Sequence, residues 1–462
     1  MTTSQIEGHT GHNNPDVRSA VRKFFARFIP LIMIMVVLNQ IDRTNVGYIK
    51  EHLESDLGIG PAAYGLGAGL FFVAYAIFEV PSNMIMQRVG ARVWLTRIMV
   101  TWGLVVIGTG FVQTETQFYT ARFLLGVAEA GFVPGVLYYF GYWLPQKYRG
   151  RATALLLSGS ALAYVVSGPL SGALLELDGV LGISGWKWML WIEGTMTVAV
   201  GIVAFFFLVS KIADAKWLTA AEKAALTAAI EEEDDARDRA QGVGVSKWKL
   251  LLNGQVLLMC LVFFFIQLVG YTMTFWLPTQ VKALGDLSSF EIGLITSIPW
   301  ILSIVAMNFA GRTRDKFPTR TRLIVTAALV LAAVGTFVAT AGNPLLGLFG
   351  MCLAAMGFKS ASPVFLTIPQ ALLSAKIYAP GIALVTALGN LGGFVAPTVL
   401  GALEEATGSI TIGLYGLTTM ALLAIVVLYL IKRNDEAETG AASARLDTEE
   451  AVAAAGSQDS LR

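Results

Sequence analysis

Charge is scarce in this sequence. Asp, Glu, Lys and Arg make up 14% of its 462 residues and apolar residues 55%, where a soluble chain carries about 25% charged residues. That deficit excludes a soluble globular domain, a disordered chain and a basic nucleic-acid binder. Cysteine and histidine are nearly missing too, at 2 and 3 residues, which argues against a disulfide framework or a His/Cys metal site. No Gly-x-x-x-x-Gly-Lys-Ser/Thr stretch occurs, so an ATP-driven pump on this chain is excluded. Gly65-x-Gly67-x-Gly69 follows no strand pattern and is no nucleotide loop. No clustered nucleophile, acid–base pair or ligand set points to an enzyme or to a cofactor. The charges nearly cancel, 33 Lys and Arg against 32 Asp and Glu, so they inform only once placed along the chain.

Long apolar runs are what the sequence has. A helix crossing ~30 Å of hydrocarbon needs about 20 mostly apolar residues. Twelve stretches meet this, roughly 25–47, 62–86, 94–113, 117–141, 150–175, 188–209, 251–279, 289–310, 322–341, 345–370, 379–402 and 411–431. A membrane barrel would instead show short alternating segments. The expectation is an all-α polytopic membrane protein. The polar start, with His9, His12 and an Asn13–Asn14–Pro15 turn, lacks a signal-peptide pattern, so the first span is expected to stay.

Basic residues fall on alternate loops. Arg18, Arg22, Lys23 and Arg27, then Arg88, Arg92 and Arg97, then Lys147, Arg149 and Arg151 lie on one side with the central loop and Arg312–Arg322. The other side holds Lys50, Lys187 and Lys282. The positive-inside rule then places both termini in the cytoplasm. The expected parts are a tail at 1–23, a six-helix bundle at 24–209 and a cytoplasmic loop at 210–250. A second bundle follows at 251–432, then a disordered tail at 433–462, rich in Ala, Glu and Ser. The acidic run Glu231–Asp235 reads as a solvated helix face or linker.

The halves repeat each other. Gly172-Ala-Leu-Leu-Glu176 recurs as Gly401-Ala-Leu-Glu-Glu405, Pro134 maps onto Pro363 at the same separation, and the loop Asn83–Arg88 aligns with Gly311–Lys316. Two six-helix halves built from a repeat are the architecture of a secondary transporter, with its site near the midplane.

Arg43, Arg122 and Lys359 are the basic residues at membrane depth, where a charge costs at least ~2.5–3.5 kcal/mol. Arg122 and Glu129 stand two turns apart on one helix face, about 10 Å along the axis. Arg offers a planar fork for a carboxylate, and Glu129 can exchange a proton. An anion occupying Arg122 would favour protonation of Glu129, which couples the two. The alternative is a structural Arg–Glu pair locking span four to a neighbour. Asp42 and Arg43 stand near the outer end of span one, where a snorkelling interfacial pair is the other reading. Lys359 is the repeat counterpart of Ala130; it would answer a second substrate charge, pair with Glu129, or point to cytoplasmic water. Glu79 is assigned to a cytoplasmic gate with Arg88. Glu193, among Trp186, Trp188 and Trp191, reads as an interfacial anchor. Cys260 and Cys352 read as inert core residues.

The sequence resembles the major facilitator superfamily over residues 20–432. Gly311-x-x-x-Asp315-Lys316 is similar to its cytoplasmic loop motif, from which the first copy departs with Asn83 and Gln87. Asp42-Arg43-Thr44-Asn45, Phe78-Glu79-Val80-Pro81, Arg122-Phe-Leu-Leu-Gly126 with Glu129-Ala-Gly131, and Gly185-Trp186-x-Trp188 ahead of Ile192-Glu193-Gly194 resemble the anion:cation symporter branch. The resemblance implies proton-driven import of an organic anion: a sugar acid, a hydroxy-diacid or an aromatic acid. It implies that Arg43 contacts the anion, that Asp42 is a second protonation site, and that Tyr75, Gln267 and Asn390 supply hydrogen bonds. It adds Asp315 and Lys316 to the gate. Partners are then the anion, protons and the bilayer, with no nucleic acid, and the working unit is a monomer in a bacterial inner membrane. An exchanger, a facilitator or, more remotely, a transporter-like sensor are the alternatives.

Overall fold

The computed structural model describes residues 14–240, 253–373 and 375–432. The expected C-terminal tail and part of the central loop lie outside them. The described residues form helices α1 (Pro15–Tyr48), α2 (Lys50–Leu57), α3 (Pro61–Val89), α4 (Ala91–Thr109), α5 (Glu115–Glu129), α6 (Phe132–Trp143), α7 (Gln146–Leu175), α8 (Gly185–Phe207) and α9 (Ala220–Ala240). Then come α10 (Gly254–Lys282), α11 (Ser289–Lys316), α12 (Thr321–Val338), α13 (Pro344–Phe365), α14 (Thr367–Leu372), α15 (Ala375–Asn390), α16 (Gly392–Thr407) and α17 (Thr411–Leu430). No strand occurs among the described residues. Twelve segments are long and apolar enough to cross a membrane. Their outer faces carry large bare hydrophobics, with Phe206 and Phe309 each 72% exposed. Such a coat is stable only against lipid.

The chain divides into two units, Met1–Val243 with Leu287–Ser297, and Gly244–Asp286 with Ile298–Arg462. The start of α11 thus clusters with the first unit, although the sequence assigns it to the second half. Packing repeats between units. The first span lies on the fifth (α1 on α7) and the third on the sixth (α4 on α8) in the first unit. The corresponding pairs, α10 on α15 and α12 on α17, recur in the second.

Three expectations need correction. The stretch 1–23 is not all tail, because Asn14 Oδ1 caps α1 by accepting the Asp16 N–H at 2.9 Å and Pro15 opens the helix. The fourth span is not one helix. It breaks between α5 and α6, where Gly131 takes φ +87° and an added Cβ would lie 2.6 Å from Ser82 Oγ. The acidic run is not wholly solvated either. Glu233 accepts the Gln146 backbone N–H at 2.9 Å at the start of α7 and contacts Arg149 at 3.4 Å. In the first turn of α9, Glu222 accepts from Lys23 Nζ at 2.7 Å and Ser19 Oγ at 2.7 Å on α1. Trp217 stacks on Trp143 at 5.6 Å beside them. The described part of the central loop is clasped to the first unit.

Candidate functional site

In the first unit, the polar residues of α1 form one stripe. Asn39, Asp42 and Asn45 follow at three-residue spacing, which keeps them on neighbouring turns of one face, and all three are buried. Arg43, one turn after Asn39, points toward α3 and α5. Its guanidinium carbon lies 4.8 Å from the Tyr75 ring centroid and 5.4 Å from that of Phe71. Its Nε donates to Glu129 Oε1 at 2.5 Å. The second oxygen, Glu129 Oε2, is buried without a hydrogen-bond partner among the described residues. Asn39 stands beside that carboxylate. Glu129 is the last residue of α5, so the helix break sets it at a free helix end.

Arg122 is buried at 3% exposure, and its guanidinium lies over Phe71 at 5.1 Å. One aromatic ring therefore carries two guanidiniums, a cation–π arrangement that holds two anion-binding forks close together. Arg122 makes no ion pair with Glu129; that partner is Arg43. The Arg–Glu pair that ties span four to a neighbour is formed by Arg43, joining α1 to α5, and not by Arg122, whose Nε is left without a partner among the described residues.

Asp42 does not snorkel to water. It is 1% exposed and accepts from Trp102 Nε1, from Thr197 Oγ1 at 3.2 Å and from Asn45 Nδ2 at 3.3 Å. Glu193 is no interfacial anchor: it is 1% exposed, accepting from Asn45 Nδ2 at 3.0 Å and Ser171 Oγ at 2.8 Å. Its depth follows from the neighbouring glycine. Gly194 and Gly103 bring α8 and α4 so close that a Cβ on either would lie 2.7 Å from the other's carbonyl oxygen. Close approach through small residues is how membrane helices pack, and here it brings Glu193 and Trp102 into the interior of the unit. The polar triplet on α1 was the signal that could have found Asn39 and Asn45.

Of the residues assigned to a gate, Glu79 sits half-buried one turn beyond Tyr75 and interacts electrostatically with Arg43. That places it with the buried cluster rather than with Arg88, which is exposed in the last turn of α3. Asp315 contacts Arg314 at 3.2 Å, and Lys316 lies 5.4 Å from the Phe317 ring.

In the second unit, Gln267 Nε2 on α10 donates to Asn390 Oδ1 at 3.2 Å, across the end of α15. Lys359 on α13 lies 5.6 Å from the Trp300 ring and 5.1 Å from the Phe358 ring. No group of three or more His, Cys, Asp or Glu that could hold a metal occurs among the described residues.

The sequence matches the Major Facilitator Superfamily over residues 32–397 and 286–456. It is 38% identical to a protein of Agrobacterium vitis provisionally named a tartrate transporter, over 90% of this chain and 91% of that one. It is 36% identical to the inner membrane transport protein RhmT of Escherichia coli, over 90% and 96%. Among solved structures, the xylose transporter XylE of E. coli superposes with a TM-score of 0.71 at 14% identity, covering 90% of this chain and 99% of that one. Twelve spans, a repeated packing plan and these relatives describe a multi-pass transport protein of the cell membrane, and the chain belongs to the major facilitator superfamily.

Proposed function

We propose that the protein imports an organic carboxylate anion by proton symport with alternating access. The observation that carries this reading is the Arg43–Glu129 pair beside Arg122 on the shared Phe71 ring. A carboxylate substrate and Glu129 compete for the same guanidinium. When a proton reaches the unpartnered Oε2, Glu129 becomes neutral and Arg43 is released to bind the anion, with Arg122 as a second fork. Proton and anion then enter together, because the anion takes Arg43 only when Glu129 is neutral, and a neutral Glu129 without an anion leaves Arg43 unpaired in a low-dielectric site. Asp42 is the second proton carrier in this scheme, and Tyr75, Gln267 and Asn390 supply hydrogen bonds to the substrate. Lys359 answers a further negative charge or an electronegative ring. Arg88, Asp315 and Lys316 belong to the cytoplasmic gate. The relative named for tartrate supports a hydroxy-dicarboxylate among the candidates.

The test is uptake of labelled tartrate, a sugar acid and phthalate into proteoliposomes under an imposed pH gradient. At least one is expected to accumulate. Glu129→Gln is expected to lose gradient-driven accumulation and keep exchange of labelled for unlabelled substrate. Accumulation that ignores the gradient leaves an exchanger or a facilitator and removes proton coupling. No uptake of any of the three removes the substrate class.

A further inference from the structure

Among the described residues, the membrane spans of the first unit bury three carboxylates, and one of them has a hydrogen-bonded cation. Glu129 pairs with Arg43. Asp42 and Glu193 receive neutral donors alone, namely Trp102, Thr197 and Asn45 for the first, Asn45 and Ser171 for the second. The Asn45 carboxamide is common to both. Its Nδ2 donates to both, at 3.3 Å to Asp42 Oδ1 and at 3.0 Å to Glu193 Oε2. Such a bridge ties two acids into a single unit without neutralising either.

The surroundings add little positive charge. Facing Glu193 are Asp42, Asn45 and Tyr48 from α1 and Ser171 from α7. Facing Asp42 are Trp102 from α4, Thr197 from α8, and Glu129 and Arg122 from α5. Arg122 acts on Asp42 through space, with no hydrogen bond between them. Two carboxylates held this close in a dry interior do not both ionise, since like charges sharing a site favour one proton between them.

We propose that Glu193 is a positioning residue for proton coupling, sharing one exchangeable proton with Asp42 through Asn45. The pair carries a single negative charge, and the proton resides on either acid. Glu193 thereby sets when Asp42 accepts and gives up its proton. This extends the symport reading above and rests on it for its role in transport. The proton count of the pair can be measured without any substrate.

Infrared difference spectra of the purified protein, recorded between acid and alkaline pH in H2O and D2O, read the carbonyl stretch of protonated carboxyl groups. The wild type is expected to show a protonated carboxyl band that titrates away and that changes in both Asp42→Asn and Glu193→Gln. In Glu193→Gln, Asp42 loses its negatively charged neighbour, and the midpoint of the remaining band shifts by about one pH unit toward acid. The pH profile of exchange in proteoliposomes shifts the same way. Asn45→Leu, which keeps both acids and removes the bridge, gives two independent bands and stands in if Glu193→Gln fails to fold. A Glu193→Gln spectrum and pH profile identical to wild type overturns the proposal, as does a titration that responds to sodium ions rather than protons. If gradient-driven uptake fails while the shared band is present, the symport reading falls and the shared proton stands. If uptake succeeds and the band is absent, Asp42 and Glu129 carry the protons without Glu193.

Discussion

Arg43 has two roles that a pair of substitutions separates. As the cation beside Glu129 it stabilises a fully buried carboxylate, and as a fork on the Tyr75 and Phe71 rings it presents donors to an anion. Arg43→Ala leaves Glu129 buried without its partner and is expected to destabilise the protein by about 3 kcal/mol. Thermal unfolding in detergent measures this, and Glu129→Gln in the same chain is expected to restore most of the loss. Arg122 bonds no acid, so Arg122→Lys is expected to leave stability near wild type. It should raise the substrate KM roughly tenfold, because an ammonium lacks the bidentate fork. These charged residues were legible in the sequence because each interrupts a long apolar run. Glu193 was not, for it follows three tryptophans at the end of its run. That aromatic band marks an interface in composition and says nothing of how far a neighbouring helix pulls the segment inward.

At the scale of elements, two backbone features place the site, and neither shows in hydropathy. The first is the Gly103–Gly194 approach. Gly194→Val would drive a branched side chain into the carbonyl of Gly103 and the Ile107 side chain. A loss of about 1–3 kcal/mol is expected, read by thermal unfolding, together with loss of the Trp102 hydrogen bond to Asp42, read by tryptophan fluorescence. The second is the break after Glu129. The stretch 117–141 is long and mostly apolar, Arg122 and Glu129 apart, so the sequence predicts one helix there, and the left-handed Gly131 reveals two. The spans and their order were legible because length and apolar content alone define them. The clasp of α9 was not. Salt bridges and ring stacking between distant segments leave no local pattern.

On the scale of the whole molecule, the placement of Lys and Arg predicts both termini on the cytoplasmic side. Single cysteines at Arg314 and Lys282, with Cys260 and Cys352 replaced, test it in intact cells with a membrane-impermeant maleimide. Labelling is expected at position 282 and not at 314; the reverse pattern inverts the topology. The central loop adds a pH dependence. The Lys23 ammonium, and after it the Ser19 hydroxyl, hold the Glu222 carboxyl down to about 2 from its ordinary 4.5. A group lowered on folding contributes stability that is complete above its unfolded value and is lost as pH falls toward 2. Protease cleavage of α9 is therefore expected to rise between about pH 4.5 and 2, and Glu222→Gln should be cleaved readily across that range. The end of α5 at Glu129 has one more effect. A helix terminus concentrates about half a negative charge on its last carbonyls, and the residue at this terminus is the one whose carboxylate Arg43 bonds. That terminal charge belongs to the backbone and takes up no proton. Neutralising Glu129 is therefore expected to leave Arg43 a weaker attraction to the helix end that no proton can remove, small enough for an arriving anion to overcome.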